Sequence, residues 1–130
     1  VPELPEVETN ANNLRAWTRG RRVVRATPPP GTRELGGLSG AAFSALLAGR
    51  DVLGVERRGK WVLVELAGGA GLGLHFGMTG KLVRVVDPRE AAPRFTRAEL
   101  SLDDGARVAF VDARRFGKLL ARERIEELRG

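Results

Sequence analysis

The chain has 130 residues, 42% hydrophobic and 29% charged, with a formal net charge of +6. That length suits one domain, and the mix of apolar and charged residues excludes disorder throughout. The sequence holds no cysteine and one histidine, His75, which excludes a disulfide scaffold, a thiolate zinc site and a histidine-rich metal cluster. No apolar run approaches the roughly 18–20 residues of a membrane span. The acidic start VPELPEVETN does not read as a signal peptide. The expectation is a cytoplasmic, nucleoid-associated protein with no membrane partner. Of 22 basic residues, only Lys60, Lys81 and Lys118 are lysines. The planar arginine fork suits phosphate oxygens and base edges, so nucleic acid is the first partner class to weigh. A GC-rich genome gives the same excess, and charge alone decides nothing.

In chain order, Pro5 stands where a first helical residue is tolerated, with Glu6 and Glu8 in the opening turn. Val7, Ala11, Leu14 and Trp17 follow at helical spacing, which predicts a helix over Pro5–Thr18. Arg21–Thr27 alternates as a strand, and Pro28-Pro29-Pro30-Gly31 reads as a loop. Ser39 caps a second predicted helix through Leu47, with Phe43, Leu46 and Leu47 as its buried stripe. From Asp51 the pattern turns strand-like: Val52–Glu56, Trp61–Leu66, Leu72–Phe76, Leu82–Val86, Ala98–Leu102 and Arg107–Val111. Glycines and Asp-Pro or Asp-Gly pairs punctuate these runs. Glu123–Leu128 reads as a final helix. Seven or eight short strands give a mainly β fold. It is expected as a two-layer antiparallel β-sandwich, or pseudo-barrel, flanked by an N-terminal helix and a second helix.

The opening Pro2-Glu3-Leu4-Pro5-Glu6-Val7-Glu8 carries the most chemistry. As a terminal residue, Pro2 would offer a secondary α-amine with a pKa of about 7.7–8.0, against about 10.4 for lysine. Such an amine condenses with a sugar carbon to give an iminium, an electron sink for covalent catalysis. Glu3 and Glu6 lie within a turn of it and could serve as acid and base. By composition, Met78 and Phe116 would be core residues, but glycines at 77, 80 and 117 put both on tight turns at strand ends.

These stretches resemble the N-terminal domain of the formamidopyrimidine-DNA glycosylase / endonuclease VIII family of base-excision repair enzymes. The matching pieces are PELPEVET, RRGKWVLVEL around Lys60, LHFGMTGKL around Met78, and DARRFG around Arg114 and Phe116. They span Pro2 to Gly117 in family order. The resemblance implies a bifunctional glycosylase and abasic-site lyase acting on double-stranded DNA with a damaged base or abasic site. Pro2 would attack C1′, Glu3 would protonate the ring oxygen, Glu6 would orient the reacting group, and Lys60 would grip phosphate. Met78, Arg114 and Phe116 would fill the hole left by a flipped nucleotide. His75 and Arg115 are secondary candidates for DNA contact, Arg115 as a phosphate or framework contact. The Met78 and Arg-Arg-Phe arrangement points to oxidised purines.

Two features depart from the family. Val1 precedes the expected nucleophile, and if retained it turns the Pro2 nitrogen into an amide that cannot attack. The expected resolution is a GTG start decoded as methionine and removed. The alternative is a non-catalytic damaged-DNA-binding relative. Family members also continue into a helix–two-turn–helix domain and usually a four-cysteine zinc finger. Residues 1–130 are therefore expected to be the N-terminal catalytic domain alone, monomeric, with those parts absent from this chain. No cofactor is expected in it, zinc belonging to the C-terminal domain of full-length relatives. Alone, it is expected to bind DNA weakly and to turn over little. A third class, a basic RNA-binding barrel, lacks the interleaved stacking aromatics: five Phe and two Trp occur, with no Tyr.

Overall fold

The computed structural model describes residues 4–130. Val1, Pro2 and Glu3, and with them the expected nucleophile and acid, lie outside the described residues. Helix α1 runs Leu4–Thr18, strand β1 Arg22–Thr27, and helix α2 Gly40–Leu47. Strands β2 (Arg50–Arg58), β3 (Trp61–Leu66), β4 (Gly71–His75), β5 (Lys81–Val85), β6 (Thr96–Leu102), β7 (Arg107–Val111) and β8 (Lys118–Arg122) follow, and α3 (Glu126–Arg129) ends the chain. A 3-10 turn at Arg33–Leu35 interrupts the loop after β1.

The predicted helices form for the reasons their sequences give. Val7, Ala11 and Leu14 bury one face of α1, and Trp17 packs at the edge of the core. The Ser39 hydroxyl accepts the Ala42 N–H at 3.1 Å and starts α2, satisfying a donor that the first helical turn leaves free. Phe43 and Leu47 then face inward.

All strands pair antiparallel in the order β5-β7-β6-β1-β2-β3-β4-β8. The expected sandwich is thus one continuous open sheet made of two four-stranded halves. Their seam is the β1–β2 pairing, only Arg22↔Asp51 and Val23↔Arg50 in register. Register shifts in β1, β2 and β6 mark bulges, which raise local twist and bend a strand. The inner faces meet around one core. Leu72, Leu74 and Leu119 of one half gather with Leu82, Ala98, Val108 and Phe110 of the other, and Leu14 and Phe43 reach in from the helices. The Phe76 and Phe110 rings stack at 5.7 Å between centroids.

Two expectations change. The last helix is not Glu123–Leu128 but the single turn Glu126–Arg129. The chain before it is held otherwise: the Ile125 N–H donates to the Gly69 carbonyl at 2.8 Å, and the Ile125 side chain is buried against Gly71. The strand β8, not singled out in the sequence, pairs with β4 from Gly71↔Arg122 to His75↔Lys118. Among the described residues no helix is long and apolar enough to cross a membrane.

Phe43 is fully buried at the meeting of both halves with α2. Phe43→Ala should cost about 3–5 kcal/mol through lost transfer energy and cavity formation. Leu53→Ser, at an exposed position, should stay within about 0.5 kcal/mol. Denaturant titration of both variants checks the contrast.

Candidate nucleic-acid interface

One end of the sheet collects the residues singled out in the sequence. His75 is in register with Trp61 on one side and Lys118 on the other. The starts of β3 and β8 and the end of β4 therefore lie side by side. Lys60 sits exposed in the β2–β3 turn just before Trp61, Met78 in the turn after β4, and Arg114–Phe116 in the loop leading into β8. Helix α1 begins at the same end, because Glu8 pairs with Arg57 at 2.6 Å while Arg57 also donates to the Gly59 carbonyl at 2.9 Å. Glu6 is exposed on that first turn.

Met78 and Phe116 are 49% and 47% exposed, although both are large and apolar. Their flanking glycines account for the exposure. A Cβ on Gly77 would lie 2.8 Å from the Phe116 carbonyl carbon, so the two loops touch backbone to backbone. A Cβ on Gly117 would lie 2.7 Å from the Phe110 ring and 2.8 Å from the His75 carbonyl oxygen. These contacts leave no room inside, and the neighbouring side chains turn outward. The Arg114 guanidinium approaches the Met78 sulfur, Nη1 to Sδ at 3.7 Å. The Arg33 guanidinium lies 5.8 Å from the Phe116 ring centroid. The result is an exposed apolar pair with a guanidinium between two loops.

A residue the sequence reading did not single out joins those loops. Asp112 is completely buried. One carboxylate oxygen accepts the Thr79 hydroxyl at 2.5 Å, and the other accepts the Gly117 N–H at 2.8 Å. Thr79 Oγ1 in turn accepts the Arg114 N–H at 3.3 Å. From outside, the Arg97 guanidinium donates to the Asp112 and Ala113 carbonyls at 2.8 and 3.2 Å. In the sequence it stands as the acidic residue that ends the apolar run Val108–Val111 and opens the DARRFG stretch. Glu34, also missed, is buried and pairs with Arg115: Nε to Oε2 at 2.9 Å and Nη2 to Oε1 at 3.1 Å. Arg115 also donates to the Pro30 carbonyl at 3.1 Å. The described partners of Arg115 are thus Glu34 and the Pro30 carbonyl, both within the scaffold.

His75 is half-buried, with its ring edge-on to Trp61 at 5.1 Å. Its Nδ1 accepts the Gly77 N–H at 3.1 Å, which requires that nitrogen to be unprotonated. Burial first, then the charges of Lys60 and Lys118, push its pKa below the ordinary histidine value. His75 therefore works as a neutral acceptor that holds the turn carrying Met78.

The depressed pKa fixes a sign. The unfolded chain takes up the proton more readily, so the His75 contribution is complete above the ordinary histidine pKa of about 6.5. It is lost as pH falls through the lower folded value. Between pH 7.5 and 5, the fall in Tm should be smaller for His75→Gln than for the parent, read by thermal unfolding. Asp112→Ala should cost about 1–3 kcal/mol, because the Gly117 N–H is left buried without an acceptor. Asp112→Asn should recover part of that loss, which thermal unfolding also reads.

The profile of the Formamidopyrimidine-DNA glycosylase N-terminal domain matches residues 1–119. The formamidopyrimidine-DNA glycosylase of Roseiflexus sp. (strain RS-1) is 44% identical over 119 residues, 91% of this chain and 43% of the relative. That of Halorhodospira halophila is 42% identical over 120 residues, 92% of this chain and 43% of the relative. The chain thus spans less than half the length of these curated relatives. In fold it is similar to the wild-type Lactococcus lactis Fpg (MutM) in complex with DNA containing N7-benzyl-Fapy-dG. The TM-score is 0.86 at 23% identity, over 98% of this chain and 46% of that one. With a matching profile over nearly its whole length and relatives above 40% identity, this chain belongs to the formamidopyrimidine-DNA glycosylase family, by its N-terminal domain.

Proposed function

We propose that this chain is the catalytic N-terminal domain of a bifunctional DNA glycosylase and abasic-site lyase of base-excision repair. Its substrate is double-stranded DNA carrying an oxidised base, with purines favoured, or an abasic site. The observation that carries the reading is the pairing of two loops that leave Met78 and Phe116 exposed around Arg114, beside Lys60 and the start of α1. Two exposed apolar side chains and a guanidinium suit the hole that a flipped nucleotide leaves in a base stack. Unstacking costs a few kcal/mol, which such a wedge offsets. Solved structures of similar fold hold Fapy-dG DNA and abasic-site DNA.

In the proposed reaction the free Pro2 amine attacks C1′. The N–C1′ bond forms as the C1′–base bond breaks, and the base leaves with a proton. Glu3 protonates the ring oxygen as the sugar opens to the iminium, and Glu6 orients the reacting group. The iminium then draws the electrons of a C2′–H bond, so a base removes that proton and the 3′ phosphate leaves; a second elimination releases the 5′ phosphate. Lys60 holds a phosphate at the reacting nucleotide, aided by Lys118 on the same sheet end. Among the described residues no group of three or more His, Asp or Glu converges on a metal position. With no cysteine in the sequence, the chain offers no thiolate ligand for zinc.

The one observation favouring a second reading is Val1. Retained, it makes the chain a binding-only relative. A cytoplasmic, nucleoid-associated location and a monomeric state accompany the first reading.

Borohydride reduction of protein mixed with abasic-site DNA tests the reading. A covalent adduct should form with protein whose mass shows a free Pro2 and be absent when a residue remains before it. Met78→Ala should retain the adduct but lose base release by about tenfold, the equivalent of about 1.4 kcal/mol of transition-state stabilisation. No adduct from free-Pro2 protein at DNA concentrations where anisotropy shows the duplex bound would leave the binding-only reading in place.

A further inference from the structure

Two local costs converge on one residue of the wedge loop. Arg115 has φ 58°, one of two non-glycine residues among those described with positive φ. For a side chain with a Cβ, that conformation costs about 1–2 kcal/mol. Its partner Glu34 is fully buried while the Arg115 side chain stays 29% exposed, and taking a carboxylate out of water for one ion pair is a poor source of net stability. Strain and a buried charge together are hard to explain by stability. They do explain direction. The reversed backbone at Arg115 sends its side chain inward to Glu34 and the Pro30 carbonyl, while its neighbours Arg114 and Phe116 stay exposed.

The Arg33–Leu35 turn backs the loop at further points. Leu35 is fully buried and anchors the turn. The Arg33 guanidinium lies over Phe116, and its carbonyl accepts the Lys118 ammonium at 3.5 Å. Gly36 lies so close to Leu120 that a Cβ there would sit 2.8 Å from the leucine methyl. The turn is thus packed along the start of β8.

We infer that Glu34 is a positioning residue for the DNA-filling wedge: through its two-point grip on Arg115 it fixes the outward aim of Arg114 and Phe116. The inference rests on the wedge reading above and adds to it a residue of the loop between β1 and α2. Glu34 touches no DNA. It acts only by holding Arg115 in the left-handed conformation.

The test uses a duplex with a tetrahydrofuran abasic analogue opposite 2-aminopurine, whose fluorescence rises when the base is unstacked. Anisotropy measures binding of that duplex and of an undamaged one. In Glu34→Leu the released Arg115 adds an unpaired positive charge near the loop, so affinity for undamaged DNA should hold or rise. The fluorescence rise and the preference for the abasic duplex should fall by about fivefold or more, equivalent to about 1 kcal/mol. A purely structural defect would lower both affinities together. Glu34→Gln, which keeps an acceptor and the side-chain shape, should show a smaller loss of the same sign and keeps the test open if the leucine variant does not fold. Unchanged fluorescence and preference in folded Glu34 variants would overturn the inference and leave the wedge intact. A parent protein that binds the abasic duplex by anisotropy yet gives no fluorescence rise would overturn the wedge reading itself, and the inference with it.

Discussion

The Asp112 carboxylate is the joint on which the rim carrying Met78, Arg114 and Phe116 hangs. It ends the apolar strand β7 and is sealed from water. Both oxygens are spent on loop partners: the Thr79 hydroxyl from one loop and the Gly117 N–H from the other. A buried carboxylate without such donors would be costly. Here the same groups that solvate it also fix the distance between the turn holding Met78 and the loop holding Arg114 and Phe116. Because Thr79 also accepts the Arg114 N–H, the bonds form a chain in which each donor polarises the next. The exposed apolar side chains on top are held by polar atoms beneath them.

The sheet explains why that joint sits where it does. Its halves meet at a two-residue seam and close over one core, so the strand ends at one rim bring distant segments together. Trp61, His75 and Lys118 are far apart in sequence but neighbours across adjacent strands, with Lys60 in the turn just before Trp61. Helix α1 is tied to the same rim by Glu8 and Arg57. The arrangement brings several chain segments onto one rim, as the proposed contact with a duplex requires.

Much of this was legible in the sequence. The periodicity of Val7, Ala11 and Leu14, the Ser39 cap and the strand runs located nearly every element within a residue or two. The glycines flanking Met78 and Phe116 correctly set two large apolar residues on the outside. What stayed hidden depends on long-range pairing. Nothing local marks Asp112 as a joint, since its partners Thr79 and Gly117 are chosen by the packing of β4 against β8. Glu34 reads as an ordinary loop carboxylate until the fold brings Arg115 to it. The last helix was overextended because Ile125 looks like a helical apolar position, whereas the fold uses it to cover Gly71.

The arginine excess can now be divided by geometry rather than by count. Arg15 grips the Val55 carbonyl with two nitrogens, Arg50 bridges the Leu46 and Ala67 carbonyls, Arg97 spans two carbonyls at the loop base, and Arg115 holds Glu34. A lysine carries the same charge but no planar fork to reproduce these paired bonds. Arg89 and Arg124, by contrast, are highly exposed and, among the described residues, pair with acidic neighbours two residues away. Charge-conserving exchange is therefore not one class of substitution in this domain. At some positions it is a surface polymorphism, and at others it unfastens the scaffold while leaving the isoelectric point unchanged.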